Sequence, residues 1–144
     1  MTQIPGQSHY LASLAAGGLL FPSGAQLAMA EWEAPGTPPG EVPMWMAPLH
    51  LHHHDDEAWY VLHGQLSVRV GDEVVTAGPG EAVIVPHGTP HTFWNPSSET
   101  TRYLIIMQGQ IHPLIEAIHR AERRDRESMQ ELFRQYGSEL LDRL

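Results

Sequence analysis

Cysteine is missing from all 144 residues. The chain therefore builds no disulfide, zinc–thiolate site or iron–sulfur cluster, and any metal it binds is held by nitrogen and oxygen. Lysine is missing too. The 8 basic side chains are all Arg, they face 17 acidic ones, and the formal net charge is −9. Only Arg69 and Arg102 precede His112, which leaves an acidic body unsuited to a nucleic-acid surface. The Arg residues at 120–126 are interleaved with Glu122, Asp125 and Glu127, the pattern of a solvated helix face rather than a binding patch. Residues 11–30 are uncharged and rich in Leu, Ala and Gly. No basic residue precedes Arg69 to form the n-region of a signal peptide, and Pro22 and several glycines interrupt any membrane helix of about 20 residues. A cytoplasmic protein with no nucleic-acid or membrane partner is the expectation. No helix-turn-helix segment suggests an attached DNA-binding unit.

What the chain does have is concentrated at 50–64, His-Leu-His-His-His-Asp-Asp-Glu-Ala-Trp-Tyr-Val-Leu-His-Gly. His50 and His52 are two apart, so on a β-strand both side chains point to one face. Glu57 opens the next apolar run and can reach the same interior from a neighbouring strand if a short turn covers 53–56. His91 opens a later strand, after a tight turn made by Pro86, Gly88 and Pro90. Three imidazoles and one carboxylate suit a divalent first-row ion, Fe, Mn, Co, Ni, Cu or Zn, without choosing among them. With four protein ligands an octahedral ion keeps open positions for water, dioxygen or a chelating substrate. His53 and His54 fit a solvated turn, although His54 has the strand parity of His50 and is the alternative ligand. His63 and His87 sit beside turn glycines, and His9, His112 and His119 show no constellation.

Punctuation along the chain predicts an all-β domain. After an arm over 1–18, an early strand spans 25–32, and 34–43 is a Pro- and Gly-rich loop. Strand-like runs follow at 57–62, 65–70, 73–77, 81–85, 91–94 and 100–107, separated by Gly, Pro and Asp turns, the pattern of an antiparallel sandwich or barrel. From His112 the period becomes helical, with Leu114, Ile115, Ile118 and Ala121 on one face. Ser128 to Glu131 reads as a capping box. Met129, Leu132, Phe133 and Tyr136 form a stripe for packing against the barrel or a partner subunit, and Gly137 suits the C′ position. The divisions expected are 1–18, a barrel over 19–111, and a helical segment over 112–144.

The spacing His50-x-His52, four residues, Glu57, six residues, Gly64, followed by Gly80, five residues, Pro86-x-Gly88, two residues, His91, three residues, Asn95, resembles the paired motifs of the cupin superfamily. The leading Gly of the first motif falls at Met44, so the loop before the site is expected to be built differently. The short interval from Gly64 to Gly80 looks like that of compact bacterial single-domain members. The tail around Leu132 to Gly137 is similar to that of small members described as quercetin-dioxygenase-like. The resemblance implies a double-stranded β-helix, or jelly roll, with a C-terminal helical segment. It further implies a homodimer, and His50, His52, Glu57 and His91 as ligands of one metal ion. Parity puts Met46, Trp59, Val61 and Phe93 on the wall of a substrate pocket, with barrel core as the plainer role for the same residues. The function expected is a metal-dependent, dioxygenase-like oxidoreductase acting on a small organic molecule, in which Glu57 accepts a substrate proton. A metal-dependent isomerase, epimerase or lyase is one alternative, and a non-enzymatic binding or storage protein is another.

Overall fold

The structure is a computed structural model that describes residues 8–141. Residues 1–7 of the expected arm lie outside the described residues. Short runs of alternating burial give β1 (Leu19–Leu20), β2 (Leu27–Ala34), β3 (His50–His52), β4 (Glu57–His63), β5 (Leu66–Val70), β6 (Glu73–Ala77), β7 (Ala82–Val85), β8 (His91–Trp94) and β9 (Thr101–Gln108). Helices α1 (Ile111–Arg120) and α2 (Arg126–Gln135) follow, then a strand, β10 (Ser138–Leu140). That last strand lies inside the segment whose period read as helical. At three residues, it is too short for alternation to announce it.

The strands form two five-stranded antiparallel sheets, ordered β1-β2-β9-β4-β7 and β10-β3-β8-β5-β6. This is the jelly roll that the resemblance implied. Period-2 alternation decides what each sheet contributes. Trp59, Val61, Tyr103, Ile105 and Met107 turn inward from the first, and Leu66, Val68 and Phe93 from the second. Burying each large apolar side chain contributes about 1.5–3 kcal/mol. Gly64 ends β4 at φ +86, a conformation L-residues rarely adopt, and a Cβ there would strike Thr101. The motif glycine thus lets β4 turn against β9. Asn95, the last motif residue, is buried and donates to the carbonyls of Ala34, Pro35 and Glu99, pinning the loop between β8 and β9.

Helix α1 carries no cap from its own N-cap residue, Gln110. Asp55 of the β3–β4 turn supplies it instead, accepting from the Gln110 N–H at 2.9 Å. Gly109 (φ +55) makes room, since a Cβ there would collide with that carboxylate. The start of α2 differs from the capping box read at Ser128. Asp125 is the N-cap, and it accepts from both the N–H and the hydroxyl of Ser128. An Asp three residues earlier offers the stronger acceptor, so the helix begins sooner. Gly137 follows the C-cap Tyr136 with φ +68, as expected of a C′ glycine. No helix among the described residues is long and apolar enough to cross a membrane.

Candidate metal centre

Strand β3 delivers His50 and His52 to one face, and β8 brings His91 opposite His50 in register. Glu57 arrives from β4, which belongs to the facing sheet rather than to a neighbouring strand of the same one. The four candidate ligand atoms lie within 4.8 Å of one another. The side chains are almost completely enclosed, at 7%, 3%, 5% and 1% exposure for His50, His52, Glu57 and His91. The turn between β3 and β4 exposes His53 and His54, so His54 lies outside the buried cluster. Asp56 of that turn holds the next motif in place, accepting from the backbone N–H of His87 at 2.8 Å.

Each imidazole is oriented from behind. His50 Nδ1–H donates to the Pro48 carbonyl at 2.6 Å, and His91 Nδ1–H donates to the Thr89 carbonyl at 2.9 Å. His52 Nδ1 lies 2.7 Å from the Ser138 hydroxyl, which itself reaches the Tyr136 carbonyl at 3.4 Å. With its hydrogen turned to Tyr136, Ser138 accepts from His52. All three rings then carry their proton on Nδ1 and present the Nε2 lone pair to the centre, the usual state of a metal-ligating His held by an outer partner. Ser138 comes from β10, paired with His52 in register. No sequence reading singled it out, because a lone Ser before a short strand carries no signal of its own.

A divalent cation fits this donor set on electrostatic grounds. His91 Nε2 lies 3.1 Å from Glu57 Oε1, and His52 Nε2 lies 3.4 Å from the same oxygen. Lone pairs at such distances repel unless a proton or a metal ion lies between them. His52 Nε2 is also buried with no hydrogen-bond partner, a costly state for a polar atom that coordination would relieve. Burial, then the neighbouring His91 and His52, push the His50 imidazole down to about 3, so it stays neutral and able to coordinate. Burial by itself raises the Glu57 carboxyl, but in the metal-free cluster a proton shared from Nε2 of His52 or His91, where the ion would otherwise sit, outweighs it and holds the group at about 2.

The cluster opens into a cavity of about 330 Å³. Met46 and Phe93 line it, as parity suggested. Trp59 and Val61 share the inward parity of Glu57 but sit in the closed core instead of on this wall. The sheets pack tightly at those positions, and the cavity lies toward the helices. Tyr103 lines it with a buried phenol, whose pKa burial and then the Glu57 charge raise above the ordinary value, so it remains a donor. The helices complete the wall with Ile111, Leu114, Ile115, Ile118 and Phe133. Phe133 stands edge-on to His50, ring centroids 5.7 Å apart. The stripe read as packing in α2 therefore contributes one residue to the site. Met44, in place of the motif glycine, is exposed in the loop before β3.

Comparison with known proteins gives a consistent result. Residues 38–107 match the family described as Cupin domain. The chain is 31% identical over 61 residues to "Xanthan biosynthesis protein XanB" of Xanthomonas campestris pv. campestris, covering 42% of this chain and 13% of that protein. It thus spans only a small part of that relative's length. Among solved structures it resembles TT1209 from Thermus thermophilus, at 25% identity and TM-score 0.51, over 71% of this chain and 90% of the other. The Schizosaccharomyces pombe Cnp3 cupin domain superposes with TM-score 0.55 at 19% identity, over 82% of this chain and 76% of that one.

Proposed function

We propose that this protein, whose residues 38–107 match the family described as Cupin domain, is a metal-dependent, dioxygenase-like enzyme acting on a small organic molecule. The observation that carries the reading is the convergence of three Nε2 lone pairs and the Glu57 carboxylate on one buried point that opens into an enclosed cavity. His50, His52, Glu57 and His91 would hold the ion. When bound, a divalent first-row ion supplies Lewis acidity, open coordination positions and, for the redox-active metals, electron transfer.

The chain's own residues set the conditions for chemistry. The sheets and helices exclude bulk water from the ligand set, which strengthens every charge interaction within it. Tyr103 offers a hydrogen-bond donor beside Glu57. Glu57 Oε1 is the candidate proton acceptor, and its low pKa keeps it ionised and ready. The remaining titratable wall groups, Glu33 and His119, are exposed and therefore poorly placed for proton relay. A proton-shuttling isomerase or lyase asks more of acid–base groups than this wall offers, and that favours the oxygenase reading.

The test is in two steps. Elemental analysis of protein purified without added metal should find close to one first-row ion per chain. Oxygen-electrode measurements on the loaded protein, with a panel of small enolic and phenolic compounds, should then find uptake coupled to loss of the compound. Conversion without oxygen uptake would transfer the assignment to an isomerase or lyase. Binding without conversion would transfer it to a storage protein.

A further inference from the structure

The composition of the cavity wall restricts what it can hold. Beyond the ligand set, the barrel supplies Met46, Phe93 and Ile105, and α1 and α2 add Leu114, Ile115, Ile118 and Phe133 to a mainly apolar surface, whose polar exceptions are the buried Tyr103 phenol and the exposed Glu33 and His119. No Arg lies on the wall. An anionic group away from the His and Glu cluster would meet no fixed cation there. A polyhydroxylated body would find one buried partner, the Tyr103 phenol, and each further buried hydroxyl left without a partner costs about 1–3 kcal/mol. A methylene against the same surface gains about 0.8 kcal/mol. The volume, about 330 Å³, is near the small end of the range of about 300–1,000 Å³ for ligand pockets. The contact between Phe133 and His50 makes the apolar wall continuous with the ligand set.

We infer that the substrate has a polar, metal-binding head, placed at His50, His52, Glu57 and His91, and an apolar body, a short alkyl chain or a single ring, lying against Leu114, Ile115, Ile118 and Phe133. This rests on the metal-dependent reading above. Specificity in this protein then belongs to the helices that follow the barrel, which choose the body, while the barrel chooses the head.

A series of alkyl hydroxamates tests the two parts separately, since each carries the same chelating head on a different tail. Acetohydroxamate, butanohydroxamate, hexanohydroxamate and octanohydroxamate are titrated calorimetrically into the metal-loaded full chain and into the metal-free chain. The loaded chain should bind acetohydroxamate, and affinity should rise by up to about fourfold per added methylene until the cavity is full. Gluconohydroxamate should bind no better than acetohydroxamate. The variant Ile118→Gln should flatten the rise with chain length. A flat series on the loaded wild-type chain, or tighter binding of gluconohydroxamate, overturns the apolar substrate and leaves the metal reading standing. Acetohydroxamate binding equally with and without metal overturns the metal reading itself. The wild-type series decides the question even if the variant fails to fold.

Discussion

At one end of the cavity, four polar side chains from β3, β4 and β8 meet within 4.8 Å. Along the other wall, apolar side chains from α1 and α2 face the same space. The first region depends on atoms: each nitrogen and oxygen has one position that works, and a hydrogen bond from behind fixes each imidazole. The second depends on volume, and many combinations of Leu, Ile and Phe would fill it. The comparison teaches that chemistry and selectivity are held by different parts of this chain and should fail separately.

The largest effect expected is at the polar end. His91→Ala removes one ligand and should abolish stoichiometric metal, a loss exceeding the roughly 100-fold that outer partners command, read by elemental analysis after dialysis. Phe133→Ala, at the apolar wall, should reverse the pattern. It should lower the stability of the folded protein by about 3 kcal/mol, measured by urea denaturation, with metal content kept. If Phe133→Ala lost metal as completely as His91→Ala, the division between the two ends would be wrong.

Ser138 sharpens the comparison, because it belongs to the C-terminal segment yet serves the polar end. Ser138→Ala should weaken metal binding by about 10- to 100-fold in a chelator competition, with an unchanged far-ultraviolet circular dichroism spectrum. Ser138→Thr, which keeps the hydroxyl, should restore most of the affinity.

Acid should act most strongly on the polar end. His50 is held at about 3 in the fold against an ordinary 6.5. As pH falls below about 6.5, the unfolded chain takes up a proton there that the folded chain refuses, so the metal-free protein loses stability. The loss is at most about 1.4 kcal/mol per pH unit and continues down to the folded value. Glu57, lowered from 4.5 to about 2, adds to the loss in the same direction at more acid pH. A urea midpoint that stayed constant from pH 7 to pH 5 would contradict this account of His50. The smallest effect is expected at the joint between the two ends. Asp55→Ala uncaps α1 and should cost about 1 kcal/mol, seen as a modest fall in Tm.

The polar end was legible in the sequence because its rules are short-range and strict. The parity of His50 and His52, the distance to Glu57 and the turn before His91 all follow from strand and turn geometry over a few residues. The place of His54 outside the buried cluster follows from where the turn begins, which parity alone does not decide. The apolar wall was half legible. Helical periodicity in α1 and α2 announced a buried face, but not what it would be buried against. Trp59 and Val61 were placed on the wall by parity, and parity does not say how far along the barrel a cavity extends. Strand β10 was not legible at all, since what makes Ser138–Leu140 a strand is the open edge of β3, 86 residues earlier for the Ser138–His52 pair.

That separation has a consequence in time. During synthesis, at about 5–20 residues per second, His50, His52, Glu57 and His91 all leave the ribosome seconds before Ser138 does. A nascent barrel can bring its ligands together while one imidazole still lacks its outer partner and remains free to rotate. Metal captured at that stage would be held loosely and exchanged easily. The arrival of β10 would then act as a latch, converting a provisional site into a committed one only after α1 and α2 have been made.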